Sequence, residues 1–313
     1  MKTSLKVLVT AVTLSLVSMP AFAGEIAVIV KTTNSNYWQN VDRGAAEALA
    51  DQSEHSYTFN GPASETAISD QVNLVDNAVN RGVSGIVLAP SDPEALAPAV
   101  TRAYENGIPV VIIDSELDDS ADGSYQAFLS TDNCAAGELV AENMIDEVGT
   151  SGKVAVMSYV AGAGSEVGRV GCFTDYLDAN SDLEIVGPHY SKSQMGTALN
   201  QTTDVLAAND DLVGIFGANE PTAVGMGRAL EESGKAGNLV AFGFDGSEDL
   251  QDFIRDGTLN AIAVQGSFQM GEQGVQTVIE LMNGDSVEES IDTGVVLVTQ
   301  DNIDDPEAQN VLY

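Results

Sequence analysis

The sequence predicts an α/β chain of two doubly wound parallel-sheet lobes. Short apolar runs alternate with amphipathic helical segments nearly from end to end. The runs are rich in Val, Ile and Phe and almost continuously apolar, the pattern of strands buried on both faces of a sheet. Behind an N-terminal export segment about 290 residues remain, a length that suits two domains better than one.

The export segment comes first. In residues 1–23, Lys2 and Lys6 precede an apolar run that ends in Ala21-Phe22-Ala23. That order reads as a secretory signal peptide with a small-x-small cleavage site. The run is short for a spanning helix, and no other stretch approaches the roughly 20 apolar residues a membrane span needs. No cysteine stands near the cleavage point to carry a lipid. The mature chain is expected to begin near Gly24, outside the cytoplasm.

The strand candidates follow in two sets. EIAVIV (25–30), SYTFNG (56–61), GIVLAP (85–90), PVVIID (109–114) and AFLSTD (127–132) make the first. KVAVMSYV (153–160), EIVGPHY (184–190), LVGIFGAN (212–219), LVAFGFD (239–245), AIAVQ (261–265) and VVLVT (295–299) make the second. Helices lie between them. TAISDQVNLVDNAVNRG places Ile68, Val72, Val75 and Val79 on one stripe and stops at Gly82. DPEALAPAVTRAYENG begins with Asp92 as N-cap and Pro93 at the first helical position, and stops at Gly107. Repeated strand–helix units require a parallel sheet covered on both faces.

Composition narrows the function. The chain has 47 acidic and 12 basic residues, and loss of Lys2 and Lys6 with the signal takes the formal charge from −35 to −37. Such a surface disfavours nucleic acid and anionic membranes. The acids are dispersed, which suits a saline habitat or simple solvation. Cys134 and Cys172 could form a disulfide in an oxidising compartment or remain two buried thiols. His55 and His189 are isolated, and no Cys/His cluster has metal spacing.

The topology says where a ligand should sit. Open parallel sheets bind ligands beyond the carboxyl ends of their strands. Those ends carry Ser35, Tyr37 and Trp38, then Asp114, Thr131, Asn219 beside Glu220, Asp245 and Gln265, with Arg169 one glycine-rich loop past KVAVMSYV. Carboxylates accept from hydroxyls, an Arg fork donates, amides do both, and aromatics cover C–H faces. That composition points to a carbohydrate. Tyr37 and Trp38, adjacent at a helix start, point about 100° apart, so both are not expected deep in one core. Asp114 and Asp245 could instead be a catalytic acid–base pair or helix N-caps. A nearby Arg169 would lower both pKa values, which argues against catalysis. AGAGSEVG (161–168) misses the dinucleotide-loop spacing by one place and reads as a cleft loop.

At these residues the chain resembles the periplasmic sugar-binding proteins of ABC transporters, ribose-binding type, over its whole mature length. TNSNYW, LAPSDPEAL, VVIIDSEL, STDNCAAG, GRVGCFTDYL, GIFGANEPTAVG, AFGFDGSEDL and AVQGSFQMGEQG carry the resemblance together. It implies the type I periplasmic binding protein fold. It also implies a first lobe of 24–130 plus 266–292, a second of 131–265 plus 293–313, and hinge crossings near Thr131, Gln265 and Thr293. The implied sugar contacts are Tyr37, Trp38, Asp114, Arg169, Asn219, Asp245 and Gln265, with Phe244 as a third aromatic. Ser115, Ala89, Ser191 and Lys31 depart from the ribose pattern, so the ligand stays open among pentose, hexose and polyol. No catalytic residue, cofactor or metal is implied. The expected partners are a small neutral sugar or polyol and an inner-membrane ABC permease, with no nucleic acid, for a monomer. The alternatives are a chemosensory or quorum-signal receptor of the same fold and a secreted glycoside hydrolase.

Overall fold

A computed structural model describes residues 24–52 and 54–313, so the signal peptide expected over residues 1–23 lies outside the described residues. The first half of the chain runs β1 (Glu25–Ile29), α1 (Asn36–Ala48), β2 (Ser56–Asn60), α2 (Ile68–Arg81), β3 (Gly85–Leu88), α3 (Pro93–Glu105), β4 (Val110–Ile113) and β5 (Ala127–Ser130). The same rhythm repeats through α4 (Asn133–Val148), β6 (Ser151–Ser158), α5 (Gly164–Asn180), β7 (Asp182–Tyr190), α6 (Met195–Ala208), β8 (Leu212–Gly217), α7 (Glu220–Glu232), β9 (Val240–Phe244), α8 (Glu248–Asp256) and β10 (Ala261–Gln265). The chain ends with α9 (Ser267–Asn283), β11 (Ser290–Asp292), β12 (Val295–Thr299) and α10 (Pro306–Gln309).

The strands form two six-stranded sheets, ordered β11-β5-β4-β3-β1-β2 and β12-β10-β9-β8-β6-β7. All pairs are parallel except β12 against β10. Each sheet therefore winds outward in both directions from its first strand, and the two lobes repeat one topology through five strands, differing at the sixth, where β11 is parallel and β12 antiparallel. Alternation explains the near-continuous apolar runs. In β1, Ile26 and Val28 enter the core beneath α1 and α9, while Ala27 and Ile29 enter the core beneath α2 and α3. The second sheet likewise separates a Phe173–Phe216–Phe244 core from one built on Met157, Ile215 and Leu250.

Local signals set the helix ends. Asp92 caps α3 by accepting from Ala95 N–H at 2.8 Å, and Pro93 fills its first turn. Gly82 closes α2 at φ 69°, a left-handed conformation that costs glycine little. The stripe of α2 is shifted from the sequence reading. Its buried face is Gln71, Val75 and Ala78, with Ile68, Val72 and Val79 only half-buried. Gln71 donates to the carbonyls of Val30 at 3.1 Å and Ala89 at 2.8 Å and accepts from Ser91 N–H at 2.8 Å. A buried amide thus ties together the exits of β1 and β3, where the first lobe's strand order reverses.

The backbone passes between sheets after β5, after β10 and after β11. These passages are bonded to one another. Thr131 Oγ1 donates to the Gly294 carbonyl at 2.9 Å, and Thr293 N–H donates to the Ser130 carbonyl at 3.0 Å. A Cβ on Gly266 would stand 2.6 Å from the Thr293 carbonyl, so this crossing tolerates no side chain. Cys134 and Cys172 form a disulfide between α4 and α5.

The charge has a measurable consequence. Among the described residues five of six ion pairs join exposed or half-exposed side chains, and only Lys31–Asp114 is buried. Exposed pairs are worth little, so screening loses little attraction. Self-repulsion falls as the Debye length shrinks from about 10 Å at 0.1 M to about 3 Å at 1 M salt. Raising sodium chloride from low concentration to about 1 M should lift the melting temperature by several degrees. A flat melting temperature across salt would show that the acids are spaced beyond mutual reach.

Candidate functional site

A narrow crevice with a cavity volume of about 20 Å³ lies where the carboxyl ends of the two sheets face each other. Lys31, Ser35, Tyr37, Trp38, Glu65 and Asp114 line it from the first lobe. Tyr159, Ser165, Arg169, Asn219, Glu220, Pro221, Asp245 and Gln265 line it from the second. Eight of the ten residues read as ligand contacts from sequence converge here: Ser35, Tyr37, Trp38, Asp114, Arg169, Asn219, Asp245 and Gln265.

Thr131 and Phe244 do not. Thr131 borders a separate, open groove of about 630 Å³ beside the crossings, and its hydroxyl is spent on Gly294. That groove is larger but lacks the buried acid–cation pairing of the crevice. Phe244 is fully buried beneath Arg169, whose guanidinium carbon lies 3.6 Å from the ring centroid. Successive strand residues face opposite sides, so Phe244 supports the arginine while Asp245 turns into the crevice.

The two strand-ending aspartates occupy matching places, after β4 and after β9, the fourth strands of their lobes. Both adopt positive φ, 68° at Asp114 and 79° at Asp245. Non-glycine residues rarely sit there, Asp among the more tolerant, and such backbone strain concentrates at functional sites. Neither aspartate is a helix N-cap.

Asp114 accepts from three groups. Lys31 Nζ lies 2.6 Å from Oδ2, Ser115 Oγ donates to Oδ2 at 2.8 Å, and Tyr37 OH donates to Oδ1 at 3.0 Å. Burial pushes the carboxyl up, but the Lys31 charge with the hydrogen bonds of Lys31 and Ser115 outweighs it, and the pKa falls below the usual range. Lys31 Nζ is also 2.6 Å from Ser115 Oγ. Lys31, just past the end of β1, thus brings a cation to the carboxylate that Ser115 also bonds. Burial, with Asp114 and Asp245, holds the Tyr37 hydroxyl protonated as a donor.

Asp245 accepts from Glu220 N–H and Gln265 Nε2, both at 2.8 Å. Burial pushes its pKa up to about 6 against the opposing charge of Arg169. Arg169 thus acts to lower both aspartates, but the net pKa falls only at Asp114, where Lys31 adds its charge; desolvation wins at Asp245. Gln265 Oε1 is a buried acceptor without a protein partner.

Arg169 is 2% exposed. Nε and Nη2 donate to Asn133 Oδ1 at 3.2 and 2.8 Å, and Nη1 donates to the Ala218 carbonyl at 2.7 Å. Three of the five guanidinium donors are thereby fixed, and the stacked Phe244 ring holds its plane. Close packing of α4 on α5 sets the position, since a Cβ on Gly137 would collide with the Arg169 carbonyl.

Tyr37 and Trp38 both belong to one core cluster, 5% and 2% exposed, with rings edge to face at 4.8 Å. The expectation that they could not share a core is corrected. Edge-to-face stacking satisfies the angle between them, and the opposite lobe covers what α1 leaves open.

Contacts that join the lobes were not foreseen. Glu65 accepts from Trp38 Nε1 at 3.1 Å and from Ser193 Oγ of the second lobe at 2.6 Å. Glu220, noted in the sequence only as the neighbour of Asn219, accepts from Asn36 and Tyr37 N–H. Ser165 N–H donates to Ser115 Oγ at 3.2 Å. These bonds describe a closed cleft.

Residues 26–286 match the sequence profile of the periplasmic binding protein domain. An ABC transporter solute binding protein from Agrobacterium vitis, solved with bound D-fucose, is 69% identical. The match covers 93% of this chain and 100% of that one, with a TM-score of 0.92. A carbohydrate transporter solute binding protein from Agrobacterium radiobacter, in complex with D-arabinose, is 31% identical over 93% of this chain and 99% of that one, TM-score 0.87. The D-allose-binding periplasmic protein of Escherichia coli is 28% identical, with 85% of this chain and 87% of that protein aligned.

Proposed function

This chain belongs to the periplasmic binding protein family, and on that premise we propose that it is the periplasmic solute receptor of an ABC importer, holding a neutral monosaccharide between its lobes. The observation that carries the reading is the crevice itself, where each lobe contributes one left-handed, strand-ending aspartate to the same small space. Around that pair stand the unpartnered Gln265 oxygen and the stacked Arg169, donors and acceptors in the mixture that ring hydroxyls need. Tyr37 and Trp38 supply flat apolar surface for C–H faces. The lobes, 24–130 plus 266–292 and 131–265 plus 293–313, close about the crossings near Thr131, Gln265 and Thr293, and the closed form engages the permease. Thr131 serves the hinge and Phe244 the seat of Arg169, so neither is proposed as a sugar contact.

The 69% identical relative makes D-fucose the first ligand to test. Thermal shift and calorimetry with D-fucose, D-arabinose and D-allose decide the class, because a ligand raises the melting point by mass action. No shift with any pentose, hexose or polyol would overturn the sugar reading. Affinity for a neutral sugar should change little across salt, and a steep loss would indicate a charged ligand. No hydrolysis is proposed: both Asp245 oxygens accept from protein donors, and a chromogenic glycoside should remain intact.

Trp38 is the only tryptophan and sits at the cleft wall. Its emission should change on saturating addition of D-fucose, with no other indole to mask it. Trp38→Phe keeps an aromatic face but loses indole area and the bond to Glu65, and should weaken binding by roughly 1–3 kcal/mol. An unchanged spectrum with sugar bound would place Trp38 in the core alone.

A further inference from the structure

Glu220 begins α7 in the second lobe, yet its carboxylate is bonded in the first. Oε2 accepts from Tyr37 N–H at 2.6 Å and Oε1 from Asn36 N–H at 3.3 Å. These are the first two N–H groups of α1, orphan donors at the positive end of a helix. The residue is 4% exposed. Because α1 and α7 pack on different sheets, the contact exists only while the lobes are together.

The surroundings of Glu220 are acidic. Asp245 takes its backbone N–H, Asp249 of α8 adds a second negative charge, and Tyr313 approaches from the C-terminal segment. From the first lobe α1 offers N–H groups, while its Arg43 is held by Asn40. Glu65, the other acid of the crevice, is taken up by Trp38 and Ser193. Lys31 is committed to Asp114, and Arg169 to Asn133 and Ala218. Among the described residues no cation lies within ion-pair distance of Glu220.

We propose that Glu220 is a cross-cleft latch whose protonation is coupled to closure, so that capture of the sugar takes up a proton. The proposal rests on reading the protein as a receptor that closes on its ligand. In the open form the carboxyl meets water and titrates near the usual value of about 4.3. In the closed form burial pushes it up to about 7, with Asp245 and Asp249 adding to the rise and the two N–H groups opposing it. A carboxyl raised on closing favours the closed form fully below its open-state pKa. The gain is lost as pH rises through the closed-state value. Asp245, at about 6, titrates lower. Asp245 lies beside Glu220 and is raised too, so the Glu220→Gln variant is what assigns any pH dependence between about pH 6.5 and about pH 8.5.

The test is calorimetry with D-fucose at about pH 6.5 and about pH 8.5, in buffers of different ionisation enthalpy, on the wild type and Glu220→Gln. The wild type should bind several-fold more tightly at the lower pH, with net proton uptake. Glu220→Gln, neutral at every pH although its amide nitrogen cannot accept from an α1 N–H, should lose that dependence. Equal affinity at both pH values in the wild type, or an unchanged pH slope in the variant, overturns the proposal. Small-angle scattering on the protein without sugar gives an independent readout, because a latch shifts the open–closed balance of the free protein too. The wild type should be more compact at about pH 6.5 than at about pH 8.5, and identical scattering at the two pH values overturns the latch. Failure to bind any sugar would sink the receptor reading instead, while the scattering still decides the latch.

Discussion

Arg169→Ala is expected to remove measurable D-fucose binding. The guanidinium is buried, stacked on Phe244 and bonded through three donors to the second lobe, so it is already oriented before any sugar arrives. Its remaining donors can then bond to a ligand with little further loss of rotamer freedom. Removing it leaves Asn133 and the Ala218 carbonyl without their donor and a desolvated crevice without its fixed cation. The expected loss is roughly 2–5 kcal/mol, a factor of about a hundred or more in affinity. Arg169→Lys should fall nearly as far, because an ammonium cannot reproduce the planar fork or the stacking. Asp114 gives the matching test from the other lobe. Asp114→Asn tolerates the left-handed backbone yet cancels the charge that holds Lys31, so it separates electrostatics from strain, whereas Asp114→Ala loses both. Circular-dichroism melts must show folded variants. Normal binding by a folded Arg169→Ala would remove Arg169 from the sugar site.

How far sequence reading reached follows from what each element needed. Strands buried on both faces announce themselves as apolar runs, so the eleven long ones were legible. β11 was not, since its Ser290-Ile291-Asp292 is a short, largely exposed edge segment. The strand-end rule found Asp114 and Asp245 from topology alone. It could not find their positive φ, because nothing in VVIID or FGFD distinguishes a left-handed turn from an ordinary strand exit. Phe244 was misplaced because a residue next to a site residue in a strand faces the other way. Glu220 looked like an acid in the first turn of its own helix, a common dipole-stabilising position. Its partners belong to a helix about 180 residues away in sequence, and only the meeting of the two lobes creates that contact. The same holds for Glu65, whose loop after β2 carries no periodic signal at all.

The disulfide should carry the second large effect. Cys134 and Cys172 are separated by 38 residues and join the start of α4 to the middle of α5. Closing a loop of that length removes denatured-state entropy worth about 4 kcal/mol in the chain-entropy model. Reduction, or the pair Cys134→Ser and Cys172→Ser, should therefore destabilise the second lobe by about that much. The corresponding fall in its melting temperature is on the order of 10 °C. The first lobe holds no cysteine, so calorimetry with reductant should separate one broad transition into two, the lower belonging to the second lobe. The bond also bears on the site. Asn133, the residue before Cys134, holds Arg169 through two donors, and α4 meets α5 through Gly137 at the Arg169 carbonyl. Without the cross-link the fork keeps its partners but loses part of its rigidity, so D-fucose affinity should fall only modestly below the melting transition. Saturating sugar should then recover much of the lost stability, because binding selects the ordered lobe. Indistinguishable melts with and without reductant, once the thiols are shown to be free, would mean that α4 and α5 are held by packing alone.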